Sequence, residues 1–391
     1  MKKPHFIIKN KFQRRDELYS DILTPKILKD ICKRVTGRTE YTREFDNKGY
    51  NKGRLAILKY RGRTNFVSVS ENRIGGRNSS IQSFPTALIR YYQEESTNKK
   101  IFFYFLPTSG KYETRYFNLM YRLMKTAGVE FLNEKEFLTQ KIRPFTAVDD
   151  IIANRDINRG RNRSNRSTYL TRSSDNKIQI YGKTYGANKY ETTLLCIALS
   201  KITETQIELY EIREGNLRIL PAPAREVISA LGKIKFIPTD LTMERHEFED
   251  NNSLRSPRYT FNLLEKLGDK KCIFCECEIP QLIEGSHIWS VADIKNELHL
   301  NIEEKLKQAI DEDNGIWLCQ NHHKMFDLNI IRISENGKLK IKSDLEEKSI
   351  DYIKNITPIT QVAREILTSK FIEYLEKRNA HLQESHYILL A

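Results

Sequence analysis

With 391 residues, 39% of them hydrophobic, the chain is long enough for two or three domains with real cores, while its longest apolar cluster, 101–106, is far too short to cross a bilayer. No secretory leader is read at the start, and six cysteines gathered mostly in one motif argue for a reducing, cytoplasmic setting rather than a disulfide scaffold. The net charge of +14 is held unevenly: residues 1–180 carry 37 Lys and Arg against 18 Asp and Glu, residues 181–391 carry 28 against 33, so a polyanionic partner is expected for the first half.

In chain order the signals mix helix and strand, which makes the fold class α+β and multidomain. Residues 1–154 read as a basic α/β domain. Ile22, Leu23, Ile27, Leu28, Ile31 and Val35 fall at helical spacing over 21–35, with Thr24-Pro25 at the start. Residues 54–59 and 65–70 read as strands around a basic turn, Tyr60-Arg61-Gly62-Arg63-Thr64. The Gly-rich stretch holding Arg73 and Arg77 reads as a loop whose arginines and small donors suit close approach to phosphates. A buried strand is expected over 101–106. A helix over 117–127, ended by Gly128, presents a Met and aromatic stripe to the core.

Residues 155–174 stand apart. Arg155, Arg159, Arg161, Arg163 and Arg166 are interleaved with Asn and Ser without apolar periodicity, as in an exposed arm or linker able to contact phosphates. Residues 175–240 read as a small α/β domain with strands over 177–181 and 206–212 and a helix over 190–202. Lys183 sits in a Gly-containing turn that fits neither a P-loop nor a carboxylate-x-Lys motif. The polar stretch 241–268 reads as a linker. The last domain, 269–391, carries a hairpin about Asn336-Gly337 and an amphipathic helix over 359–375, suited to pack on the domain or to make a homodimer contact.

The most specific stretch is 272–327, which holds four of the six cysteines and four of the eight histidines. Cys272-x2-Cys275 and Cys319-x2-His322 are two half-sites, each able to hold one edge of a tetrahedral Zn²⁺, with Cys277 a rival to Cys275. Between and after them come Ser286-His287-Ile288, Asn314-Gly315 and His323, then Phe326-Asp327. On a helix, His322 and His323 diverge by ~100°, so one can face the zinc and the other away.

This order of residues resembles the HNH endonucleases. The resemblance implies a ββα-metal fold with His287 as general base, Asn314 as the orienting residue and His323 as ligand of a catalytic Mg²⁺ or Mn²⁺. Many family members carry Asp before the first histidine, where this chain has Ser286, and Asp327, four residues after His323, is a candidate for the missing carboxylate. Structural zinc would be held by Cys272, Cys275, Cys319 and His322. The resemblance implies double-stranded DNA as partner, with the basic first half and central domain as its recognition parts, and no membrane. It also implies a type II restriction endonuclease, against which stand a homing or modification-dependent HNH nuclease and, from another class, a non-catalytic zinc DNA-binding protein.

Overall fold

The computed structural model describes residues 3–9, 22–46, 55–71, 77–109, 115–157, 168–183, 188–212, 220–239, 248–249 and 256–390. It is mixed α/β and divides into two compact units: 1–160 with 182–207 and 214–235, and 161–181 with 208–213 and 236–391. The described helices include none long and apolar enough to cross a membrane.

The first unit is built on a six-stranded sheet, ordered β2-β1-β3-β4-β5-β6. Its strands are β1 (His5–Lys9), β2 (Thr42–Asp46), β3 (Leu55–Tyr60), β4 (Arg63–Ser70), β5 (Lys99–Phe105) and β6 (Glu130–Phe131). Arg61 and Gly62 both take positive φ, 48° and 73°, which matches the twist of the β3–β4 hairpin. β5 lies parallel to both β4 and β6 and buries Ile101 through Phe105, as a strand covered on both faces must. Helix α1 (Pro25–Thr36) starts where Thr24 accepts from the Ile27 N–H and Pro25 fills the first turn; it stops at Gly37, φ 74°. The remaining helices are α2 (Arg77–Gln93), α3 (Arg115–Thr126), α4 (Glu134–Phe137), α5 (Val148–Ile157), α6 (Asn188–Ile202) and α7 (Ala222–Ala230).

The second unit holds most of a four-stranded sheet, β10-β9-β8-β7, made of β7 (Thr168–Arg172), β8 (Ile178–Lys183), β9 (Ile207–Ile212) and β10 (Ile234–Thr239). Helix α8 (Pro257–Leu267) follows, then the hairpin β11 (Ile283–His287) and β12 (Gly315–Cys319), with α9 (Val291–Asn296) and α10 (Ile302–Ala309) inside its connection. Helix α11 (Gln320–Asp327) leaves β12 directly. A three-stranded sheet of β13 (Ile331–Ile333), β14 (Leu339–Lys342) and β15 (Tyr387–Leu389) closes the chain with α12 (Glu347–Ile356) and α13 (Ser369–Asn379).

Four expectations are corrected. Arg155 is not on an arm: it lies in α5, 2% exposed, and its guanidinium pairs with Glu191 at 2.8 Å, so it has no surface to offer a phosphate. Residues 168–172 of the expected arm form β7, while Arg159, Arg161, Arg163 and Arg166 lie outside the described residues, as does Arg73. The Gly-rich loop gives way to α2 at Arg77. The linker read over 241–268 ends in α8, which buries Tyr259, Phe261, Leu263 and Leu264; Ser256 caps it and Pro257 opens it, a start signal overlooked in polar surroundings. The helix read over 359–375 forms only from Ser369, capped by Thr368. Before it residues 359–362 pair with loops, Ile359 N–H donating to Phe274 O and Val362 N–H to Gly337 O, and a turn follows in which Ile366 N–H donates to Ala363 O, so the apolar spacing reflects packing on loops and a turn rather than a helical stripe.

Candidate active site and metal centre

β11 pairs antiparallel with β12 from Ile283↔Cys319 to His287↔Gly315, and α11 follows at once. Two glycines let α8 lie flat on this hairpin. A Cβ at Gly285 would come within 2.7 Å of Leu263, and one at Gly315 within 2.2 Å of the Tyr259 hydroxyl. The close approach puts the Tyr259 ring parallel to the His287 ring, centroids 4.1 Å apart and planes 9° apart. Its hydroxyl lies 3.2 Å from the Ser286 carbonyl and 3.4 Å from that of Asn314, locking both strand ends at the histidine.

His287 has one nitrogen committed and one spare. Nε2 lies 2.8 Å from the Ala309 carbonyl, an acceptor only, so Nε2 carries the proton and Nδ1 keeps its lone pair. Burial pushes the imidazole down to about 4, with the nearby His323 lowering it further, so the ring is a neutral base near pH 7. Asn314 is fully buried and its amide is spent on the backbone: Oδ1 accepts from Trp289 N–H at 2.7 Å, and Nδ2 donates to Trp289 O and Gln308 O. It therefore fixes the segment after His287 to the loop before β12.

His323, in the first turn of α11, stands between two carboxylates. Nδ1 is hydrogen-bonded to Glu284 Oε2 at 3.2 Å, and Nε2 lies 3.5 Å from Asp327 Oδ2. Glu284 was missed in the sequence, although it sits two residues before Ser286 on the same face of β11, where a period-two reading would have found it. Ser286 is fully buried with its Oγ unpartnered. Glu284, His287, His323 and Asp327 open into one cleft of about 780 Å³. Lys270, on the same cleft, is pushed down to about 8 by burial against the opposing pull of Glu284, and its amine lies 5.9 Å from the Trp317 ring centre. Arg378 also lines it but is committed to structure, donating to Ile288 O, Phe326 O and Asn329 Oδ1.

On the other side of α11 the second cluster is closed. The donor atoms of Cys272, Cys275, Cys319 and His322 all lie within 4.8 Å of one another. His322 Nδ1 is 3.1 Å from Cys319 Sγ and 3.5 Å from Cys272 Sγ, and Cys275 Sγ is 3.9 Å from Cys319 Sγ. A tetrahedral ion with Zn–S and Zn–N lengths of about 2.3 and 2.0 Å puts sulfurs ~3.8 Å apart and sulfur and nitrogen ~3.5 Å apart, so the set fits zinc. Burial pushes the Cys272 thiol up to about 12 and the His322 imidazole down to about 4, so it takes a cation to ionise the Cys272 thiol in place. Cys277 stays out of the cluster; its carbonyl accepts from Cys272 N–H and shapes the turn.

Residues 272–333 match the family model described as HNH endonuclease. The module is that of an HNH nuclease. No curated protein matches the chain. The HNH match covers the hairpin, α11 and β13, so it takes in all four thiol-cluster residues as well as His287, Asn314, His323, Glu284 and Asp327. Lys183 closes β8 and Arg77 opens α2, away from this module in sequence.

Proposed function

We propose that the chain is a sequence-specific endonuclease of double-stranded DNA, of the type II restriction kind. The observation that carries this reading is His287: one nitrogen is held by Ala309 O and the other is free, in a cleft shared with His323 and Asp327. Nδ1 of His287 takes a proton from a water directed at the scissile phosphate, while Nε2–H stays on the Ala309 carbonyl and stabilises the imidazolium that forms. His323 and Asp327 would hold Mg²⁺ or Mn²⁺, which when bound would supply positive charge to offset that developing on the scissile phosphate and the leaving 3′-oxygen. Asn314 keeps the strand end in place. Cys272, Cys275, Cys319 and His322 would hold a zinc that takes no part in the chemistry and would pin the knuckle to α11.

A bare nuclease module needs little of the 271 residues that precede Cys272, and these carry the positive charge. In this proposal they read the DNA. Arg73, Arg159, Arg161, Arg163 and Arg166, with Arg77 and Lys183, make the contacts, and Arg155 makes none. One His287 per chain cuts one strand, so a double-strand break calls for a homodimer or two binding events. The test is to incubate the purified protein with unmethylated phage DNA and Mg²⁺. Discrete bands support the reading; bands only from methylated DNA place it among modification-dependent nucleases; binding without cleavage refutes it in favour of a zinc DNA-binding protein.

A further inference from the structure

Glu284 lines the cleft and has no part in the proposed mechanism. Its carboxylate meets Nδ1 of His323 at 3.2 Å with hydrogen-bonding geometry, and a carboxylate there makes Nδ1 the protonated nitrogen. The lone pair is then on Nε2, on the far side of the ring, where Asp327 Oδ2 lies 3.5 Å away at ion-pair distance without a hydrogen bond. The two carboxylates thus hold unlike positions. One imidazole offers one lone pair, and its two nitrogens point in divergent directions, so a single small cation cannot take both carboxylates through this ring. Exposure agrees: the Asp327 side chain is 52% exposed and that of Glu284 31%, which leaves Asp327 the easier of the two for a hydrated hard cation to reach.

We infer that Glu284 is a positioning residue which fixes His323 as the Nδ1–H tautomer, so that Nε2 of His323 and the carboxylate of Asp327 are the protein's ligands for a divalent cation. This rests on the nuclease reading above. A partner of this type sets both the ring orientation and the basicity of the ligating nitrogen, and its loss weakens metal affinity about 10–100-fold. Glutamine retains a carbonyl oxygen able to accept from Nδ1–H, whereas alanine does not, so the two substitutions separate orientation from direct ligation.

The experiment measures Mn²⁺ binding to the full-length zinc-loaded protein by electron paramagnetic resonance, alongside the Mn²⁺ dependence of cleavage. Glu284→Ala is expected to weaken Mn²⁺ about 10–100-fold with zinc retained at the wild-type level, and to regain much of its cleavage at higher Mn²⁺. Glu284→Gln is expected to fall between wild type and Glu284→Ala, and Asp327→Asn to lose at least as much as Glu284→Ala. Should Glu284→Ala lose its zinc, Glu284→Gln alone decides. If Glu284→Gln loses as much Mn²⁺ affinity as Asp327→Asn, Glu284 is itself a ligand and the inference is overturned. Wild-type affinity in both Glu284 variants, with cleaving wild-type protein, overturns it while leaving the nuclease reading intact. Wild-type protein that neither binds Mn²⁺ nor cuts brings down both.

Discussion

His322 and His323 are neighbours on one helix, and almost everything around them differs. His322 is 1% exposed, turned into three thiols and backed by Thr357. His323 faces two carboxylates and a cleft. Soft sulfur donors in a closed pocket select zinc and leave no position for a substrate; oxygen donors beside open space suit a hydrated Mg²⁺ or Mn²⁺. A rotation of ~100° between successive residues is enough to put the thiol cluster on one side of α11 and the carboxylate-lined cleft on the other. What the pair shares is equally informative. Each ring has one nitrogen occupied by an oxygen, so each presents the other one, but in opposite senses: Nδ1 from His322, Nε2 from His323.

The largest effect should come from breaking the closed side. Cys272→Ala removes one of four zinc donors, and structural zinc contributes on the order of 10 kcal/mol to folds of this size. The variant is expected to fall from one zinc per chain to almost none, with proteolysis now cutting within the module. Elemental analysis and limited proteolysis decide it; a zinc-free variant that cuts DNA at the wild-type rate would refute the scaffold role.

Breaking the open side should leave that scaffold alone. His287→Ala is expected to lower single-turnover cleavage by about 10²–10⁴, the usual worth of a positioned base, with zinc content and DNA binding unchanged. Near wild-type cutting would sink the assignment of the base.

The pH profile sharpens the same point. Burial places His287 near 4, well below an ordinary histidine, so it is deprotonated and able to act as a base throughout pH 5–8. Lowering the pH adds the proton only as it passes about 4, and the acid limb of cleavage is expected there. An acid limb centred near pH 6.5 would mean that His287 is not the titrating base, or that it is not buried in the working enzyme.

Much of this site could be read from local spacing, because Cys272, Cys275, Cys319, His322 and His323 act through offsets of one to three residues. Their supports could not. Tyr259, Ala309 and Thr357 reach the histidines from three separate segments, and nothing in a run of sequence says which carbonyl or hydroxyl will face a given ring nitrogen. The fold divides the same way. The helix 25–36 with its Thr24 cap and Gly37 stop, and the hairpin about Asn336-Gly337, follow from nearby residues. The stretch 357–368 borrowed a helical spacing from its packing, and α8 hid its Ser256-Pro257 start inside a polar run.

The smallest expected effect tests whether the two histidines are built on one plan. Thr357 is 1% exposed, and its hydroxyl lies 3.0 Å from His322 Nε2; accepting from Nε2–H leaves Nδ1 to face the thiols. Thr357→Val keeps the volume and removes the acceptor. The buried Nε2–H then has no partner, which costs about 1–3 kcal/mol, and zinc affinity is expected to drop about tenfold through a freer ring. Chelator competition measures that drop directly. Mn²⁺ binding and cleavage at saturating zinc should not move, because His323 has its own acceptor. Unaltered zinc affinity would show that Thr357 does not orient His322, and a parallel loss of Mn²⁺ would show that the two sides of α11 are coupled rather than independent.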